Sequence, residues 1–185
     1  MFSHLKTSLA ENKNNINKYL EIGPGHGLFL KNAIDILNKH TEMTAVDISQ
    51  TSLNVSKSII THFYPWKKIS FINKDMLDLT MNSEFDFIVM GEVIEHVENP
   101  KSLLIQISKL LSKNGRAFLS TCVNCPMIDH VYHFHSVDEI RNMFKNCGLI
   151  IESEKVLPVE DMTMTEIINQ KITINYSAIV RKDFE

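Results

Sequence analysis

A glycine-rich turn and a distant aspartate are the residues best suited to chemistry in this sequence. Gly23, Gly25 and Gly27 follow a short apolar run, and glycines let a backbone turn sharply and approach a ligand. A helix beginning after them would offer unpaired N–H groups and the positive end of its dipole. Asp47 ends the next apolar run, twenty residues beyond Gly27, where a carboxylate can accept both hydroxyls of a ribose. This pattern predicts a site for an adenosine-containing ligand.

The spacing of the glycines distinguishes between two kinds of ligand. The dinucleotide fingerprint G-x-G-x-x-G would require glycine at position 28, where the sequence has Leu28. Glu21 stands just ahead of the glycines, and its carboxylate would repel a pyrophosphate but attract an ammonium group. We therefore favour an adenosine ligand with a positively charged amino-acid moiety. A nicotinamide-dependent oxidoreductase is the disfavoured alternative.

A second group of ionisable residues follows the fourth apolar run. Glu92, Glu95 and His96 would share one face of a helical turn, at spacings of three and four residues. A functional interpretation puts Glu92 and His96 near the reacting group. The alternative, which we favour for His96, is a structural or ligand-side role in which this side chain contacts backbone.

A histidine-rich segment at residues 121–136 follows the fifth apolar run, and three interpretations of it remain open. A neutral histidine could act as general base. Cys122-x-x-Cys125 with a nearby histidine offers ligands typical of zinc. Some histidines could instead line a pocket or cap the helix that begins at Ser136. The second half of a Cys/His zinc pattern is missing at its usual separation, so we expect no metal.

Alternation within an extended segment would orient these histidines. His133 and His135 would then face one side, whereas Tyr132 and Phe134 would face the other, with His130 on the side of Tyr132. The polar side would be open to a pocket. We expect His133 to be the substrate-side base. His135 and His130 are the next candidates for this role.

Short runs of β-branched and aromatic residues alternate with amphipathic stretches along the chain, which is typical of strands joined by helices. The strand candidates are Lys18–Ile22, Met43–Asp47, Ile69–Asn73, Phe85–Met90, Arg116–Thr121, Leu149–Val156 and Ile174–Val180. The helix candidates are Gly27–Lys39, Gln50–Phe63, Pro100–Leu111 and Ser136–Asn146. The alternation predicts an α/β fold with a doubly wound, mostly parallel seven-stranded sheet. No helix is evident between the last two strands, so we expect the last strand to be antiparallel.

Composition limits the function classes. The 185 residues, 44% hydrophobic and 22% charged, fit one domain over 1–185, with 1–18 as a short N-terminal lid or frayed helix. The net charge of −3 gives no general attraction to nucleic acid or to anionic membranes. No apolar run approaches the roughly 20 residues of a membrane helix. Three cysteines, an odd number, favour a reducing, cytoplasmic location.

Taken in order, these motifs resemble those of class I S-adenosylmethionine-dependent methyltransferases, and the resemblance extends from about residue 19 to residue 180. Besides the glycine turn, it rests on three segments, at residues 72–78, 85–97 and 110–119. The resemblance implies a Rossmann-like methyltransferase fold and S-adenosylmethionine as cofactor. It also implies a small-molecule substrate, with no nucleic acid and no membrane as partner.

The resemblance also implies roles for individual residues. Glu21, Gly23, Gly25 and Gly27 would surround the methionine part of the cofactor, and Asp47 would bind its ribose. Ile48, Asp75 and Met76 would contact the adenine, while Gly91 and Glu92 would lie beside the sulfonium.

The implied reaction is direct in-line transfer of a methyl group to a nucleophilic O or N. A catalytically silent S-adenosylmethionine-binding partner or regulatory protein is the alternative. Because few residues precede the first strand, we expect an open pocket, or one that a second copy completes in a homodimer.

Overall fold

The computed structural model describes residues 1–80 and 85–183. Its strands are β1 (Lys18–Ile22), β2 (Glu42–Asp47), β3 (Ile69–Asn73), β4 (Phe85–Gly91), β5 (Leu111–Val123), β6 (Leu149–Pro158) and β7 (Ile174–Lys182). Its α-helices are α1 (Phe2–Asn12), α2 (Leu28–Ile36), α3 (Gln50–Phe63), α4 (Pro100–Leu110), α5 (Val137–Asn146) and α6 (Met164–Asn169). Short 3₁₀ turns occupy Lys13–Asn15, Met76–Asp78 and Ile94–His96.

All seven strands form one sheet in the order β3-β2-β1-β4-β5-β7-β6. The neighbours from β3 to β5 pair in parallel, and β7 lies antiparallel between β5 and β6. The order reverses direction between β1 and β4, which is the switch point where doubly wound sheets bind ligands. The predicted sheet, including its antiparallel last strand, is confirmed.

The register of the central strands aligns three loops at one edge of the sheet. Met90 of β4 is paired with Ile22 on one side and with Leu119 on the other. One residue further along, Gly91 is paired with Ser120. The turn after β1, the loop after β4 and the end of β5 therefore meet at the carboxyl edge.

Helices cover both faces of the sheet because the strands are apolar on both sides, as parallel sheets require. One face packs against α1, α2 and α3, and its buried residues include Leu5, Leu9, Leu30, Ala33, Ile60, Phe87 and Phe118. The other face packs against α4, α5 and α6, with Leu20, Ile88, Leu104, Ile107, Phe144 and Ile167. None of the described helices is long and apolar enough to cross a bilayer.

The N-terminal segment differs from the expected lid or frayed helix. Leu5 and Leu9 lie one helical turn apart and are fully buried in the core beneath α1. The ring of His4 bonds to the hydroxyls of Ser177 (3.0 Å) and Ser153 (2.9 Å), which ties α1 to β7 and β6. Because its inward face is apolar and bonded to the sheet, α1 belongs to the helical layer.

A second difference is α6, which stands between β6 and β7 where no helix was predicted. Thr163 accepts a hydrogen bond from the backbone of Glu166, and the Glu166 side chain accepts one from the backbone of Thr163. This reciprocal capping box satisfies two N–H groups at the start of a very short helix. The Thr-x-x-Glu spacing was the sequence signal for it.

We predict that Leu5→Ala lowers the free energy of unfolding by about 2–5 kcal/mol, because it leaves a cavity beneath α1. Urea denaturation measures the change. Thr7→Ala, at an exposed position of the same helix, is the control and is expected to change stability by no more than about 0.5 kcal/mol. Equal stability of the two variants would mean that α1 is a detachable lid.

Candidate functional site

The glycine turn after β1 leaves space at only one of its three glycines. All three have positive φ, between 53° and 76°. A Cβ at Gly23 would lie 2.5 Å from Val93, and one at Gly27 would lie 2.8 Å from the Ser56 hydroxyl. A Cβ at Gly25 would meet no atom of the described residues within 4 Å. Gly23 and Gly27 thus make room for protein side chains, and Gly25 borders space that a ligand could fill.

A cavity of about 130 Å³ lies beside this turn, between the ends of β1, β2 and β3. Its lining includes Gly23, Asp47, Ile48, Asp75 and Met76, all singled out from the sequence. The Ile48 side chain is 74% exposed, which is unusual for isoleucine and leaves an apolar surface at the cavity rim.

Local hydrogen bonds hold the two aspartates of the cavity in place. Asp47 accepts hydrogen bonds from the Ser49 amide and the Ser52 hydroxyl, both at 2.8 Å. Asp75 accepts one from the Leu77 amide at 2.8 Å, which caps the 3₁₀ turn. An ionised carboxylate offers about four acceptor positions, so both aspartates can still accept bonds from a ligand.

Glu21 is buried, with only 1% of its surface exposed. Its Oε2 accepts a hydrogen bond from the Tyr19 hydroxyl at 2.6 Å, and its Oε1 has no partner among the described residues. Burial raises the pKa of Glu21 to about 8, although hydrogen bonding from the Tyr19 hydroxyl and, less strongly, from the backbone of Leu30 opposes this rise. The unpaired oxygen is suited to a cationic or hydrogen-donating group.

Two glutamates lie close together after β4. Glu92 has a φ of 54° and accepts a hydrogen bond from the Ser120 hydroxyl at 2.7 Å. Glu95 is 1% exposed and accepts one from the Thr121 hydroxyl at 3.0 Å. Burial, together with the charge of Glu95, raises the pKa of Glu92 to about 7, and burial also raises the pKa of Glu95.

The loop containing Glu95 holds the histidine segment against the sheet edge. The carbonyl oxygen of Glu95 accepts hydrogen bonds from the amides of Val131 and Tyr132, both at 2.9 Å. The Nδ1 of His96 donates to the carbonyl oxygen of Asp129 at 2.8 Å. His96 therefore contacts backbone, which is the structural role favoured from the sequence.

The burial of residues 132–135 alternates as predicted. Phe134 is buried and packs on the half-buried Tyr132 with ring centroids 4.9 Å apart, whereas His133 and His135 are exposed. His130 does not side with Tyr132. Its ring centroid lies 5.0 Å from that of His96 and 6.4 Å from that of His133. The reason is that residues 127–132 form turns rather than an extended strand.

Gly91 has a packing role that the sequence did not indicate. A Cβ at this position would lie 2.2 Å from the Phe29 ring of α2. Any side chain at this position would therefore displace the Phe29 ring from the end of β4.

A larger cavity, of about 630 Å³, lies between the end of β5, the start of α5 and helix α6. His135 and Asn124 border it, and α6 contributes Met164 and Ile168 to its mostly apolar wall. One wall of this cavity depends on α6, which was not predicted as a helix.

Comparisons with known proteins agree with this architecture. A family model described as a methyltransferase domain matches residues 2–154. The ubiquinone biosynthesis O-methyltransferases of Rickettsia bellii (strain OSU 85-389) and Rickettsia canadensis are 24% and 25% identical to this chain. These alignments cover 89% and 91% of this chain, and 75% and 78% of the relatives.

Two solved structures share the fold at lower identity. An S-adenosylmethionine-dependent methyltransferase from Clostridium acetobutylicum has a TM-score of 0.72 at 14% identity, covering 99% of this chain and 92% of that one. The N-methyltransferase NodS from Bradyrhizobium japonicum, in complex with S-adenosyl-L-homocysteine, has a TM-score of 0.72 at 16% identity. That match covers 97% of this chain and 86% of NodS.

The raised pKa of Glu21 predicts a pH-dependent stability. The folded state binds a proton more tightly than the unfolded state, whose glutamate pKa is about 4.5, so stability falls as pH rises from there towards about 8. Relative to Glu21→Gln, which is neutral at every pH, the wild type should lose about 1.4 kcal/mol per pH unit in that window. Urea titrations at several pH values measure this. Parallel stability curves for both proteins would refute the buried, protonated Glu21.

Proposed function

The chain belongs to the methyltransferase domain family, and from that premise we propose that it transfers the methyl group of S-adenosylmethionine to a nucleophilic O or N of a small molecule. The observation that carries this proposal is the cavity beside the glycine turn, where Asp47, Ile48, Asp75 and Met76 converge. When bound, S-adenosylmethionine would supply a sulfonium-activated methyl group that a nucleophile can attack in line, with S-adenosylhomocysteine as the leaving group.

The residues of the cavity fit such a molecule. Asp47, held by Ser49 and Ser52, retains lone pairs for the two ribose hydroxyls. Ile48 and Met76 supply apolar surface for the adenine, and Asp75 supplies an acceptor for its amino group.

The methionine part of the molecule would lie along the glycine turn. The space beside Gly25 admits it without a clash, and the unpaired oxygen of Glu21 can accept a hydrogen bond from its ammonium group, directly or through water. Gly91 and Glu92, at the end of β4, would then lie beside the sulfonium. A carboxylate at this place favours a positive charge.

His133 is the proposed substrate-side base, and His135 and His130 are the next candidates for this role. It is exposed on the polar side of its segment and is free to meet a substrate at the carboxyl edge. A base at this position would accept the proton of a hydroxyl as it attacks the methyl group. For an amine acceptor, positioning alone could supply most of the rate.

The chemistry of the acceptor follows from charge and from the relatives. The O-methyltransferase relatives and the N-methyltransferase neighbour support O or N as the acceptor atom. The net charge of −3 disfavours a nucleic acid, so a small molecule is proposed. The three cysteines are all free, which fits a reducing, cytoplasmic compartment.

Asp47→Ala should weaken S-adenosylmethionine binding by about 1–3 kcal/mol, because it removes charge-assisted hydrogen bonds to the ribose. This corresponds to an affinity loss of roughly 5-fold to 150-fold and is measured by isothermal titration calorimetry. Asp161→Ala, at an exposed position away from the cavity lining, is the matched control with unchanged affinity. Equal affinities for both variants would contradict the assigned site.

His133→Ala should lower kcat on a hydroxyl acceptor by about 10²-fold, at the low end of general-base contributions, with unchanged S-adenosylmethionine affinity. Release of S-adenosylhomocysteine during turnover provides the assay. His62→Ala, an exposed histidine of α3, is the control. Full activity of His133→Ala would show that this residue is not the general base.

A further inference from the structure

We propose that this chain binds one zinc-type divalent metal ion through Cys122, Cys125, His130 and Glu95. These residues come from the end of β5, the segment after it and the loop after β4. A metal ion there would join two segments that border the methyl-transfer site. Metal binding itself does not depend on the proposed function.

The distances among three of the four donors suit a single ion, and Glu95 joins Cys122 and His130 in separate groups. One ligand atom each from Cys122, Cys125 and His130 lies within 4.8 Å of the other two. Two sulfurs bound to a tetrahedral zinc, each at about 2.3 Å, are roughly 3.8 Å apart, so only a small contraction is required. Two thiolates and an imidazole are donors that select zinc over magnesium or calcium.

Glu95 supplies the fourth ligand. Its carboxylate forms one such group with Cys122 and Glu92, and another with His96 and His130. The residue is 1% exposed, yet its Oε1 has no hydrogen-bond partner among the described residues. A proton on the neighbouring Glu92 carboxyl can hydrogen-bond to Glu95, and a cation among these donors would take the place of that proton.

The surrounding hydrogen bonds resemble those that orient metal ligands. The Nδ1 of His130 lies 2.7 Å from the carbonyl oxygen of Cys125, which can only accept, and 3.9 Å from the sulfur of Cys122, so Nδ1 carries the hydrogen and the ring must turn Nε2 towards the ion. The other ring nitrogen therefore keeps the lone pair that a metal requires. The Thr121 hydroxyl holds the second oxygen of Glu95. Such second partners fix the orientation of metal ligands.

This donor set explains why the sequence pattern looked incomplete. A Cys-x-x-Cys motif usually finds its remaining ligands further along the chain, whereas Glu95 precedes it, on the neighbouring strand's loop. Four protein ligands make a closed site, which is typical of structural zinc. We infer that the ion fixes the segment from Cys122 to His130 against the loop after β4.

Cobalt and zinc titrations of the reduced, chelator-treated full chain test this proposal. We expect one equivalent of Co²⁺ to bind, with thiolate-to-cobalt charge-transfer absorption and the strong visible bands of a tetrahedral site. One equivalent of Zn²⁺ should displace it. Cys125→Ser should weaken Co²⁺ binding at least ten-fold and reduce the charge-transfer band. Cys147→Ser, which alters a buried free cysteine of a different region, should bind as the wild type does.

Three further outcomes decide the proposal. Glu95→Gln should weaken Co²⁺ affinity at least ten-fold while keeping the thiolate bands, and unchanged affinity would exclude Glu95 as a ligand. Absence of stoichiometric Co²⁺ binding in the wild type, or equal binding by Cys125→Ser, would overturn the site. Circular dichroism of Cys125→Ser checks that the variant is folded. Titration of the same variant with S-adenosylmethionine measures cofactor binding separately, so loss of metal binding is distinguished from failure of the proposed function.

Discussion

The position of β4 between β1 and β5 is the constraint on which the rest of the molecule depends. Met90 is hydrogen-bonded in register to both neighbours, which places Gly23, Gly91 and Ser120 at the same height of the sheet. Without that register the glycine turn, the glutamate loop and the histidine segment would not share an edge. A shift by one residue would also turn the core side chains of β4 to the wrong face.

Burial of carboxyl groups is the second property that organises this edge. Glu21, Glu92 and Glu95 are removed from water, and each has a pKa above its ordinary value. Each therefore holds a proton at pH values at which an exposed glutamate is ionised. A bound cation, whether an ammonium, a sulfonium or a metal ion, would reverse that preference by stabilising the charged form. The edge thus combines low-dielectric burial with selectivity for positive charge.

Most of the fold could be predicted from the sequence because it depends on local patterns. The bounds of β1, β3 and α3 agree with the predicted ones, since β-branched runs mark the strands and Ser49 caps the helix. The packing of α1 into the helical layer was not predicted, because residues 1–18 were expected to be a short lid or frayed helix. β5 begins five residues earlier than predicted, at Leu111, because its pairing with Phe85 extends the strand across a bulge.

The site could be predicted where its residues follow the carboxyl ends of predicted strands. The cavity around Asp47 and Asp75 was predicted, because parallel strands end at one edge. The packing roles of Gly23 and Gly91 were not, since they depend on Val93 and Phe29 from other parts of the chain. The isolation of one Glu95 oxygen likewise follows from tertiary contacts that no spacing rule describes.

The placement of β7 between β5 and β6 has a consequence for synthesis on the ribosome. The two flanking strands are both made before β7. Until β7 arrives, β5 has one unpaired edge and β6 has no strand partner. Exposed strand edges recruit other chains, so a nascent chain that pauses before residue 174 would be at its most vulnerable to aggregation. Insertion of β7 beside β5 is thus a late step. The speed of translation over residues 124–173 determines how long the edge of β5 stays unpaired.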